Sequence, residues 1–104
     1  MITLTTKFHG PTNTRGSRIS CRAAGRPWRV YVSNMYGTDV EKHAHALATF
    51  VAKHFPPHPE SGPAWNAYHY GHTDEGMAFI RIVRGDVVND CVWINNGTGA
   101  YSLT

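Results

Sequence analysis

The sequence predicts an α+β domain, a mostly antiparallel sheet of about five or six strands with one helix packed on it, in the order β-β-β-α-β-β-β. Three observations carry this expectation. Short segments that alternate apolar and polar residues recur along the chain, as half-buried strands do. One stretch, 39–54, has helical periodicity with a start signal and a proline stop. Clusters of Gly, Pro and Asn separate the segments at turn spacing. A chain of 104 residues is one domain by size, 1–104, and shows no internal repeat.

The first strand is expected over 2–8, with Ile2, Leu4, Thr6 and Phe8 on one face and Thr3, Thr5 and Lys7 on the other. Pro11 and Gly16 bracket a loop whose Asn13 and threonines can hydrogen-bond their own backbone. A second strand, 18–23, turns Ile19, Cys21 and Ala23 inward and Arg18, Ser20 and Arg22 outward. After the turn at Gly25-Arg26-Pro27, a third strand over 28–33 buries Trp28, Val30 and Val32 and exposes Arg29, Tyr31 and Ser33.

Thr38 with Glu41 three positions on matches a capping box that opens the helix. Val40, Ala44, Leu47, Ala48, Val51 and Phe55 form its apolar stripe. Asp39 and Glu41 in the first turn and Lys53 and His54 in the last complement the helix dipole, and Pro56-Pro57 ends it.

A proline-rich loop, 56–63, reads as an extended connector. A fourth strand, 65–70, sets Trp65, Ala67 and His69 on one face and Asn66, Tyr68 and Tyr70 on the other. The nearly unbroken apolar run 77–83 suits a central strand covered on both faces or most of them. Arg84-Gly85-Asp86 reads as the turn to a last strand, 87–94, and the turn-rich tail 95–104 is expected to be partly disordered.

Charge is unevenly spread. Residues 1–38 carry Lys7, Arg15, Arg18, Arg22, Arg26 and Arg29 and no acid, a balance of +6. Residues 39–104 carry −3, which leaves +3 for the chain. A basic half of this kind points to an anionic partner, nucleic acid first. The opening Met1-Ile2-Thr3-Leu4-Thr5-Thr6-Lys7 lacks the plan of a signal peptide, and no apolar run nears the roughly 20 residues a membrane helix needs, so a cytoplasmic location and no membrane partner are expected. Two cysteines, Cys21 and Cys91, make no disulfide framework and are expected as reduced, packed thiols.

Signals for catalysis are lacking. His43 and His45 are two apart on the helix and diverge, and none of the seven histidines has the Cys/His spacing of a structural zinc site. The seven acids are scattered through turns and the helix start. No catalytic residue, metal ligand or cofactor is therefore expected; a metal-dependent nuclease would need a bound ion that the spacing does not supply.

The candidate site is the basic loop and strand face. Residues 10–19 combine turn formers with Arg15 and Arg18, and backbone amides beside guanidinium groups can cradle a phosphate. If the second and third strands form a hairpin, Arg18, Arg22, Arg29 and Tyr31 share one solvent face, which suits phosphate contact and base stacking. The expected nucleic-acid- or anion-binding residues are thus Lys7, Asn13, Arg15, Arg18, Arg22, Arg26, Arg29 and Tyr31. Trp65, Tyr68 and Tyr70 are the candidates for a protein contact.

The run Thr6-Lys7-Phe8-His9-Gly10-Pro11-Thr12-Asn13-Thr14-Arg15-Gly16-Ser17-Arg18-Ile19 resembles the opening of small bacteriophage and mobile-element proteins of no established activity. His43-Ala44-His45-Ala46-Leu47-Ala48 and Ala78-Phe79-Ile80 are similar to their short helix and late apolar strand, in outline only. The resemblance implies a phage or plasmid origin and a bacterial host, and transfers no functional residue. The expected function is a non-enzymatic accessory protein that binds nucleic acid, DNA or RNA. The alternative is an anti-defence factor, for example an anti-CRISPR, or a host-takeover inhibitor that binds a host protein complex.

Overall fold

The computed structural model describes residues 3–10, 16–33, 39–60, 62–82 and 91–103. Among the described residues one helix lies against a curled antiparallel sheet of seven strands, so the α+β class holds with more strands than the five or six expected. The strands are β1 (Thr3–His9), β2 (Arg18–Ala23), β3 (Arg29–Ser33), β4 (Trp65–His72), β5 (Gly76–Arg81), β6 (Cys91–Asn95) and β7 (Tyr101–Leu103). The helix α1 is Asp39–His54. Across the sheet the order is β3-β2-β1-β5-β4-β6-β7, and every neighbouring pair is antiparallel.

Alternation along the strands sorts the side chains into two faces. Leu4, Ile19, Cys21, Val30, Met77, Phe79, Tyr68, Val92 and Ile94 fill the concave face beneath the helix. The helix packs against β1, β2 and β3 at one end of the sheet and against β6 and β7 at the other. Three of its four alanines, Ala44, Ala46 and Ala48, are wholly buried, and small side chains let the backbone sit close to the strands. Leu47, Phe50 and Val51 supply the bulk. Phe55 N–H still donates to the Val51 carbonyl, and Pro56 stops the helix there. The capping pair, which begins at Thr38, falls outside the described residues, as does the Arg84-Gly85-Asp86 turn.

Three expectations are corrected, for the tail, Trp28 and the run 77–83. The tail is not a loose end over 95–103: β7 pairs with β6, and Tyr101 packs against the core with its ring 6.3 Å from that of His45. Asn95 drives the hairpin, since its side-chain oxygen accepts from the backbone N–H of Gly97 and Thr98, and Gly99 then takes a positive φ that favours glycine. Trp28 precedes β3 and lies over the helix end, stacked on His54 at 5.3 Å with Phe55 edge-on. Phe8 keeps the face it shares with Leu4 and Thr6 yet is 46% exposed, because β5 begins at Gly76 opposite Lys7 and leaves Phe8 without a neighbour on that strand. The run 77–83 is covered on one face only over its described part, with Met77 and Phe79 buried and Ile80 exposed.

A polar tie joins helix and sheet inside the core. Thr6 Oγ1 lies 2.6 Å from His43 Nδ1 and 3.3 Å from the Met77 carbonyl, and both residues are buried. A hydroxyl has one proton. Both contacts are satisfied when His43 carries its proton on Nδ1 and Thr6 passes its own to Met77. Thr6→Val is expected to cost about 1–3 kcal/mol by removing the buried hydroxyl that joins His43 to the sheet, and Thr6→Ser less, as read by urea denaturation.

Gly76 is held to glycine by the same corner: a Cβ there would sit 2.1 Å from the Thr6 carbonyl oxygen and 3.1 Å from His43 Cε1. Gly76→Ala should lower stability by about 3 kcal/mol in the same assay, because strand backbone must shift to admit it.

Candidate functional site

The convex face of β1, β2 and β3 is a small lattice set by register. Its three rows are His9–Arg18–Ser33, Lys7–Ser20–Tyr31 and Thr5–Arg22–Arg29. The hairpin turn at Gly25, which has positive φ, and the bond from Arg26 N–H to the Ala23 carbonyl bring β3 back beside β2. Arg18, Arg22, Arg29 and Tyr31 do share one face, as the alternation of the two strands implied.

Within the lattice the side chains hold one another. The Arg18 guanidinium lies 4.7 Å from the centre of the Tyr31 ring, and Arg29 Nη1 donates to the Tyr31 hydroxyl at 3.4 Å. The His9 ring is 5.5 Å from that of Tyr31, and His9 Nε2 meets Ser20 Oγ at 2.8 Å. Ser20 is buried beneath them although it belongs to the outer face. Tyr31 itself stays 47% exposed, a fixed aromatic surface among cations. Arg22 and Arg29 stand directly opposite each other on neighbouring strands. Like charges so placed repel, and an anion between them relieves the repulsion.

A groove of about 380 Å³ runs along this lattice. Thr5, Lys7 and Ser20 form its floor, Arg22 and Arg29 one flank, and His9 one end. The other flank is the β4–β5 turn with Thr73, Asp74 and Glu75. That turn is pinned by Thr73 N–H to the Gly76 carbonyl and by Gly76 N–H to Thr73 Oγ1. Phe8 N–H donates to the Glu75 carbonyl, and Lys7 Nζ pairs with Glu75 at 3.6 Å. Both partners of that pair are largely exposed, so it adds little stability.

The structure brings together Lys7, Arg18, Arg22, Arg29 and Tyr31 of the expected site. Asn13 and Arg15 lie outside the described residues. Arg26 sits apart at the β2–β3 turn, its guanidinium 5.3 Å over the Trp28 ring. The sequence put Ser20 on the face of Arg18 and Arg22 and Thr5 on that of Lys7 without naming either in the site, and it missed His9 there and the acids Asp74 and Glu75 opposite. Period-two alternation of β1 already placed Thr5 with Lys7, but pairing of β1 with β5 has no local signal.

Of the candidates for protein contact, Trp65 is 48% exposed while Tyr68 is buried at 6%. They point to opposite faces, and Tyr70 packs with Phe79 on the inner one. Arg81 reaches Asn66 on that inner face at 2.8 Å.

Both cysteines are buried free thiols, and burial pushes the Cys21 thiol up to about 12, which removes it as a nucleophile near neutral pH. Among the described residues no three His, Cys, Asp or Glu side chains are grouped to hold a metal ion, and no helix is long and apolar enough to cross a membrane. No protein-family model matches this chain, and comparison with curated proteins and with solved structures gives no match.

Partial burial, followed by the positive charges of Arg18, Lys7 and Arg29, holds the His9 imidazole below its ordinary 6.5, against an opposing pull from Glu75. The unfolded chain therefore takes up this proton before the folded one. Stability from His9 is intact above pH 6.5 and declines as the pH falls from 6.5 toward the lowered folded value. An NMR titration should place His9 below 6.5, and Arg18→Gln should move its midpoint upward. A midpoint at or above 6.5 in the wild type would contradict this charge layout.

Proposed function

We propose that this protein binds nucleic acid through the convex face of β1–β3, with phosphates on Lys7, Arg18, Arg22 and Arg29 and a base on Tyr31. One observation carries the reading: an exposed tyrosine held between Arg18 and Arg29 on a sheet surface, with Arg22 set directly opposite Arg29 across the same hairpin. Arginine meets phosphate oxygens in a fork, and an aromatic ring stacks on any base, so affinity needs no sequence preference. Thr5 and Ser20 add hydroxyl groups to the floor. The protein acts without catalysis, as a small accessory factor of a phage or other mobile element in a bacterial host.

A second reading is favoured by a separate observation. Trp65 and Ile80 are exposed on the same outer face beyond the basic lattice. A large exposed ring is a common anchor for protein contact, so this half of the face suits an inhibitor of a host complex.

Fluorescence anisotropy with labelled DNA and RNA at low and raised salt separates the two. About four phosphate contacts give a slope of log affinity against log salt near −3. Arg22→Ala/Arg29→Ala, with an unchanged melting curve, should weaken binding at least about tenfold for every sequence tested. Absence of salt-sensitive binding by the wild type would overturn the nucleic-acid reading, and retention of a host protein lost with Trp65→Ala would support the second.

A further inference from the structure

We propose that the groove admits one nucleic-acid strand and rejects a duplex, because its far flank is a fixed pair of carboxylates. The inference rests on the nucleic-acid reading and deepens it by assigning roles to Asp74 and Glu75.

Charge across the groove is split rather than uniform. Arg22 and Arg29 make one flank, and Asp74 and Glu75 stand on the other. The acidic turn does not swing freely, since its backbone is tied to β1 through Phe8 N–H and closed on itself between Thr73 and Gly76. Glu75 also reaches Lys7 on the floor.

Width decides what such a groove can take. Arg22 and Arg29 stand two and three strand spacings from β5, and Glu75, level with Phe8, lies three residues along the strands from their row, so the charged flanks are about 14–17 Å apart. A major groove is roughly 12 Å wide between its flanking backbones, so its two phosphate rows reach across this distance. A duplex with one backbone on the arginines therefore sets its second backbone over Asp74 and Glu75, phosphate against carboxylate. A single strand meets no such conflict. Its phosphates lie on the arginines and Lys7, one base stacks on Tyr31, and neighbouring bases extend toward the turn. There the carboxylates and the Thr73 hydroxyl face base N–H donors, which they can accept.

Glu75 has a second effect on the same choice. An incoming phosphate competes with it for Lys7, so the pair lowers the gain from any contact at the floor. A strand brings only one phosphate to Lys7 and keeps the rest on the arginines, so it meets Glu75 once. A duplex, which presents phosphates on both sides, must confront it.

The test is an anisotropy titration of the full chain with a mixed-sequence DNA strand and with the duplex of the same length, at one low salt concentration. Wild type, Asp74→Asn/Glu75→Gln and Arg22→Ala/Arg29→Ala are compared, each with its melting curve. The wild type should prefer the strand by about tenfold. The carboxamide variant should raise duplex affinity several-fold, raise strand affinity less, and so narrow the preference. The arginine variant should lose both ligands. Equal binding of strand and duplex by the wild type, or equal tightening of both by the carboxamide variant, would overturn the inference while leaving nucleic-acid binding standing. Failure of the wild type to bind either ligand would overturn both.

Discussion

One helix has to cover seven strands, and most of the architecture follows from that mismatch. A 16-residue helix is about 24 Å long and about 10 Å across with its side chains. Seven strands laid flat would span about 29 Å between the outermost two. A flat sheet of this size would leave much of its apolar face in water. Curling the sheet solves the problem, because β2 and β3 at one end and β6 and β7 at the other then both reach the helix. The middle strands carry Phe79, Met77 and Tyr68 to fill the space beneath it.

The curl changes what the helix must be. A helix on a flat sheet buries one stripe, and the predicted stripe ran through Val40, Ala44, Leu47, Ala48 and Val51. In the curled sheet Ala46, Phe50 and His43 are buried as well, on the flanks of that stripe. Alanine at the tightest points is the natural solution, since a larger side chain there would hold the strands away. His43 is polar and still buried, which is tolerable because Thr6 waits for it on β1. Gly76 completes that corner by having no side chain to obstruct the Thr6 carbonyl and the imidazole.

Legibility from the sequence followed the range of the interactions. The helix was readable to its last residue, because its period and its proline stop are local signals. The β2–β3 hairpin was readable too, since alternation and the Gly25 turn fix its face, and with it the grouping of Arg18, Arg22, Arg29 and Tyr31. What depended on distant pairing was not. The strand Tyr101–Leu103 is three residues in a tail of turn formers, and only its bonds to β6 make it a strand. The burial of Tyr68 against the exposure of Trp65 followed from which face the helix covers, which alternation alone leaves open.

The charge pattern shows the same limit more sharply. Along the chain the first 38 residues are purely basic, which invites the picture of a basic half-molecule. In space β5 lies beside β1, and the turn that precedes it carries Asp74 and Glu75 to the edge of the arginine lattice. Sequence segregation of charge has become close contact of opposite charges, with Lys7 and Glu75 paired across the boundary. The arginines on β2 and β3 are what the turn does not neutralise, since Arg22 faces Arg29 rather than an acid. A surface of that kind attracts an anion over a narrow strip and repels it just beyond, so its geometry constrains the ligand more than its net charge does.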